Sequence, residues 1–150
     1  MLRPIFALAL ASVAVLAPAT LQAWPGADSK TPHPLEGAWR LVGTLAENDD
    51  VVEPNPGWFE EYKVVADGYF MWTSLKDGRI LGHAGGVARM GRGTYTERVD
   101  YASEARMQSI VGERHLFTWK LVNGHWHHVG TLRTADGRTS RVAEVWERVR

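Results

Sequence analysis

From Leu35 onward, apolar and polar residues alternate in runs of about eight to ten, separated by glycine-containing pairs. This is the signature of successive antiparallel hairpins. Turns are expected at Asp67-Gly68, Asp77-Gly78, Met90-Gly91, Asn123-Gly124 and Asp136-Gly137. Between them the alternation predicts strands over 35–45, 58–66, 69–75, 79–89, 93–101, 113–122, 125–133 and 139–149, with a short helix over 102–108. Eight sequential strands in one domain spanning 35–150 predict an all-β fold, an eight-stranded antiparallel up-and-down barrel. Closure removes the edge strands that otherwise template aggregation. The interior of such a barrel is either filled by side chains or holds one small molecule.

The two-residue Asn123-Gly124 turn sets a register in which Val122 faces His125 and pairing continues outward from there. One face then carries Leu121 opposite Trp126, Trp119 opposite His128, Phe117 opposite Gly130 and His115 opposite Leu132. The other carries Lys120 with His127, Thr118 with Val129 and Arg114 with Arg133. Aromatic bodies bury large apolar area while Lys120 and the arginines need water, so the first face is expected inside. In 93–101, Tyr95, Val99 and Tyr101 share a face with Glu97, which is expected inward. In 69–75, Phe70 and Trp72 form the larger apolar face and are expected inward, although this makes Lys63 the cross-strand neighbour of Trp72, an awkward partner for an interior position.

The first residues are set apart from the barrel. Met1-Leu2-Arg3 is a short basic start, Ile5 to Ala17 an apolar run, and small residues end it at Ala17-Pro18-Ala19 and Leu21-Gln22-Ala23. This is the layout of a secretory signal, expected to be cleaved after Ala23. Residues 24–34, with three prolines, read as a flexible lead-in. The 150-residue chain contains no cysteine. That excludes disulfides, cysteine-ligated metals, a cysteine nucleophile and the lipid anchor of bacterial lipoproteins. A periplasmic or secreted protein without a membrane anchor is expected. Seventeen basic and seventeen acidic side chains balance, which removes the usual electrostatic handle for nucleic acid.

Gly37-Ala38-Trp39 has the Gly-x-Trp form that opens the lipocalins and their relatives in the calycin superfamily. Glu144-Val145-Trp146-Glu147-Arg148 resembles the closing segment of small bacterial secreted lipocalin-like proteins. The resemblance implies a barrel plugged at one end by Trp39, covered by Arg148 from the last strand, and open at the other. Binding of a small, mostly apolar ligand follows only as a family tendency. The pattern departs from typical lipocalins in lacking a disulfide and a long helix after the last strand. It also lacks the helix pair of intracellular fatty-acid binders. In its place residues 46–57 form an acidic, proline-containing connection, either a lid at the barrel mouth or a plain solvated loop.

Candidate chemistry is sparse. His125 and His127 share one strand face, but Lys120 opposite repels a cation and no third ligand is evident, so no metal is expected there. The run Gly82-His83-Ala84-Gly85-Gly86 has neither P-loop nor dinucleotide spacing. It marks bulges and coiling, or a bare backbone that a flat ligand approaches. Glu60-Glu61 and Asp49-Asp50 point to opposite faces and make no acid–base dyad, and no serine lies in a nucleophile elbow, so catalysis and cofactors are not expected. The arginines near the C-terminus, interleaved with Glu144 and Glu147, read as a balanced surface. The leading expectation is binding of a small apolar or aromatic molecule, with Phe70, Trp72, Phe117, Trp119 and Trp126 as walls. Tyr95, Glu97, His115 and His128 supply orienting polar groups, unless they form a satisfied interior network. The alternatives are a solid barrel acting on a protein partner through its surface and the 46–57 loop, and a metal or haem site at His115 or His128.

Overall fold

The computed structural model describes residues 31–47 and 51–150. The expected signal (1–23), the lead-in through residue 30 and the acidic tip 48–50 lie outside the described residues. Residues 32–150 form one unit. Its strands are β1 (Gly37–Leu45), β2 (Val52–Pro54), β3 (Phe59–Ala66), β4 (Tyr69–Lys76), β5 (Arg79–Gly91), β6 (Thr94–Ala102), β7 (Arg114–Val122), β8 (His125–Arg133) and β9 (Thr139–Arg148). Strands β1 and β3 to β9 pair in chain order, all antiparallel, and β9 returns to β1. The result is a closed eight-stranded up-and-down barrel, a lipocalin-like architecture. The three-residue β2 was not foreseen. It continues the β1 edge where β3 leaves it, pairing Gly43 with Pro54 and Leu45 with Val52.

The hairpin turns explain why pairing stays in register. Asp67, Asp77 and Asn123 all have positive φ, as do the glycines that follow them. This is the type I′ geometry whose twist matches that of the flanking strands. The turn between β5 and β6 falls at Arg92-Gly93 rather than Met90-Gly91, because β5 continues two residues further and Gly91 still pairs with Thr94. The expected short helix is a 3₁₀ turn at Ala105–Ile110, shifted toward β7. The β7–β8 pairs run from Val122 with His125 to Phe117 with Gly130, as the turn dictates.

Irregularities redirect several side chains. The β1–β9 ladder slips between Leu41 and Gly43, so alternation reverses there. Leu41 stays in the main core, while Leu45 joins Ala143 and Val145 in a second cluster on the outer face, with Val42 and Val129 against it. On β6 a bulge at Asp100 pairs Val99 with Gly86 but Tyr101 with Gly85. Tyr101, expected inside, therefore turns outward and is exposed. Leu121 is also exposed, since it sits past the end of the packed interior, beside the Asn123-Gly124 turn. The glycine-rich stretch of β5 serves packing: Gly86 lies opposite Phe70 and Ala84 opposite Trp72, so small residues make room for bulky ones.

The two ends of the barrel differ. At the end holding the start of β1, Trp39, Trp126 and Trp146 are fully buried with Leu35, Val65 and Tyr95. Trp39 packs edge-on against Trp126 at 5.4 Å, and its indole N–H donates to Leu35 O at 2.8 Å. The Arg148 guanidinium lies 4.3 Å from the Trp39 ring centre and donates to the carbonyls of Glu36 (2.7 Å) and Pro34 (2.5 Å). The chain entering β1 is thereby tied across this end. The glycine of the Gly-x-Trp motif has a direct cause, since Gly37 has φ +128° and a Cβ there would meet Arg148 Nη1 at 2.4 Å. Gly37→Ala is expected to destabilise the fold by about 1–3 kcal/mol through backbone strain and displacement of the guanidinium. Urea denaturation checks this.

Candidate functional site

Toward the opposite end, below the 3₁₀ turn, the interior is not filled. A cavity of about 330 Å³ is bounded by Phe59 and Trp72 on one side, and by Val99, Phe117, Leu132 and Val142 on the other. Met107 and Ile110 of the 3₁₀ turn overlie it. Its remaining wall is polar: Glu61, Lys63, Ser74, Glu97, His128 and Glu144. These six come from β3, β4, β6, β8 and β9, strands that only closure brings to one place.

Strand periodicity puts them there. On β3, Glu61, Lys63 and Val65 share a face, and pairing of Val65 with Phe70 and Lys63 with Trp72 makes that face the inner one. On β9, Glu144 shares its face with the fully buried Trp146. Reading Glu144 as surface is therefore corrected: its neighbours Ala143 and Val145 are the outward pair, covered by Leu45. The difficulty over Lys63 resolves in the same way. Lys63 is 3% exposed and its ammonium donates to Glu97 Oε1 at 3.0 Å. It also lies 4.9 Å from the Trp146 ring centre and 5.5 Å from that of Trp126, close enough for the ring faces to stabilise a desolvated cation.

The charges follow from these contacts. Burial works against the Lys63 ammonium, but Glu97, Glu144 and Glu61 together outweigh it and hold its pKa above the ordinary lysine value. His128 is lowered by burial and by the Lys63 charge. Glu144 is held below the ordinary carboxylate value despite its burial, because His128, Lys63 and the Trp146 indole favour its charge. His128 Nδ1 lies 3.0 Å from Glu144 Oε2, which also accepts the Trp146 N–H at 3.1 Å. An ionised carboxylate accepts only, so Nδ1 carries the proton of the neutral ring and Nε2 is left with a lone pair. That Nε2 is buried without a partner. Glu61 accepts from Ser74 Oγ at 2.7 Å, yet its pKa is pushed up to about 7, first by burial and then by the charge of Glu144.

The residues expected from the sequence to bind a ligand fall into two groups. Trp72, Glu97, Phe117 and His128 border the cavity. Phe70, Tyr95 and Trp126 belong to the packed core beside and beneath it. Tyr95 Oη makes no hydrogen bond of good geometry, and burial and the nearby Glu97 charge push its phenol well above the ordinary value. His115 pairs across strands with Glu97, but its ring is buried outside the cavity wall, accepting from Arg133 N–H at 3.3 Å through Nδ1. Trp119 is half-buried near the plugged end, where its indole N–H donates to Gly91 O and Thr94 O. Among the described residues of 46–57, none borders the cavity. Residues 52–54 pair antiparallel with the end of β1 instead, and Arg141 donates to the carbonyls of Leu45 and Ala46. Glu61, Lys63, Ser74 and Glu144 were missed. Carrying the Phe70 and Trp72 assignment across the Asp67-Gly68 hairpin would have turned Lys63 and Glu61 inward.

No protein-family model matches this sequence, and a search of curated proteins finds no match.

Lys63→Met is expected to cost about 3–5 kcal/mol, because it strands the Glu97 charge in the interior. Adding Glu97→Gln should recover part of the loss, a coupling read by a double-mutant cycle in urea. Glu61 has its pKa raised on folding, so its contribution is full at low pH and is lost as pH rises from about 4.5 to about 7. Glu61→Gln should therefore gain stability over the parent at pH 8 but not at pH 4.5, by on the order of 3 kcal/mol at most. Denaturation of both proteins at the two pH values checks the difference.

Proposed function

We propose that this protein binds a small molecule, with an apolar or aromatic body, in the barrel cavity and without catalysis. The observation that carries this reading is the unfilled volume of about 330 Å³ inside a barrel whose other end is packed solid. Such a volume lies at the lower end of the range for small-molecule sites, and a mostly apolar wall with a few convergent polar groups is their usual composition. Interiors ordinarily close-pack, so residues that hold a cavity open beside six polar groups favour an occupant over a structural core. The layout of residues 1–23 supports an extracytoplasmic setting, periplasmic or secreted. A second reading, a surface that engages a protein partner, draws on the exposed Val51, Val52 and Trp58 flanking and within the β1–β3 connection.

The neutral fluorescent probe N-phenyl-1-naphthylamine is expected to bind saturably at one site and to quench Trp72. Leu132→Trp, which fills the cavity from its wall, should weaken binding at least tenfold. Absence of saturable binding, or binding indifferent to Leu132→Trp, would overturn the cavity reading. A partner captured by the parent, and lost when 46–57 is replaced by a short turn in a still-folded protein, would favour the second.

A further inference from the structure

The following rests on the cavity-binding reading and concerns the chemistry of the occupant. We propose that the cavity takes a ligand with a cationic head, an alkylammonium on an aromatic or aliphatic body, and seats that head against Glu61 and Glu144.

The polar wall holds three carboxylates, Glu61, Glu97 and Glu144, and one ammonium, Lys63. Lys63 is committed to Glu97 at 3.0 Å and enclosed by the faces of Trp126 and Trp146. His128 borders the same cavity but is held toward its neutral form, so it offsets neither remaining carboxylate. A charge inside a protein is costly unless paired. In direct contact, among the described residues, Glu144 has the hydrogen-bond donors His128 and Trp146 and Glu61 has the Ser74 hydroxyl, while the Lys63 charge acts on both from beyond contact distance. An entering cation supplies the missing partner. An entering carboxylate would meet three like charges with the one cation already taken.

An independent feature points the same way. His128 Nε2 is a buried acceptor with no donor, on a ring that is 1% exposed and borders the cavity. With Nδ1–H directed to Glu144, Nε2 asks for an N–H or O–H from an occupant, and an ammonium has three donors to distribute. The described histidine and acidic side chains do not assemble into a group able to hold a metal ion, which favours an organic cation. The walls suit its body: Phe59, Trp72 and Phe117 present aromatic surface, and Leu132 and Val142 aliphatic surface.

The ionised form of Glu61 receives the head, so affinity for an ammonium should rise with pH through about 7. Glu144, Glu97, Lys63 and His128 face this group, and the first of them is held ionised by its own partners. The test is displacement of N-phenyl-1-naphthylamine from the full chain at pH 8 by three probes of similar body: 2-phenylethylamine, 3-phenylpropan-1-ol and 3-phenylpropanoate. The amine is expected to displace at a concentration at least tenfold below the alcohol, with the acid weakest. Glu61→Gln and Glu144→Gln should each remove about tenfold of the amine's advantage, leaving the alcohol unchanged. Retained probe binding shows that each variant is folded. If the alcohol or the acid competes as well as the amine, the cationic preference is wrong while the cavity reading stands. If neither the fluorescent probe nor any of the three binds, both fall together.

Discussion

The buried ammonium of Lys63 organises most of what surrounds it inside the barrel. Desolvating a cation is costly, and the structure offsets that cost with a carboxylate at 3.0 Å and with the ring faces of Trp126 and Trp146. The aromatic layer then continues to Trp39 and ends under the Arg148 guanidinium. Two cations, one buried and one at the rim, thus bracket a stack of indoles. With no cysteine to cross-link the chain, closure of the sheet and this packing carry the stability.

The same ion pair divides the interior. On one side of it the barrel is close-packed. On the other lies the cavity, with Glu61 and Glu144 facing the space and His128 between the layers. Because Lys63 is matched to Glu97, the remaining carboxylates are in excess, and the pKa of Glu61 is raised first by its burial and then by the charge of Glu144. A charge-rich floor beneath an apolar wall is poor design for a solid core and suitable design for holding a polar head and an apolar body in one orientation. Met107 and Ile110 of the 3₁₀ turn border the cavity near its mouth, where the sequence left the 46–57 connection as either a lid or a plain solvated loop.

Much of the fold was legible from local rules. The Asp-Gly and Asn-Gly pairs placed three hairpin turns correctly, since two consecutive positive φ values favour those residues. The register of the Asn123-Gly124 turn, with the burial preference of its aromatic face, assigned Phe117, Trp126, His115 and His128 to the interior. Where an inner face was misread, a bulge, a strand end or a charge was the cause. The extra residue at Asp100 reverses alternation and carries Tyr101 outward. Lys63 and Glu144 were judged by their own polarity rather than by the faces they share with Val65 and Trp146.

The sequence by itself determined the strand order, the closed barrel and the inner face of β7 and β8, because hairpin register and two-residue periodicity act between neighbours in the chain. Only the tertiary structure decided what the interior contains. Glu61, Lys63, Glu97, His128 and Glu144 come from four strands, and nothing local to any one of them shows that closure sets them around one space. Whether that space stays open depends on the summed volumes of side chains from nearly every strand, set against the strands' bulges. A polar residue reads as exposed on its own strand, and as a buried partner only when the strand across the barrel supplies the opposite charge.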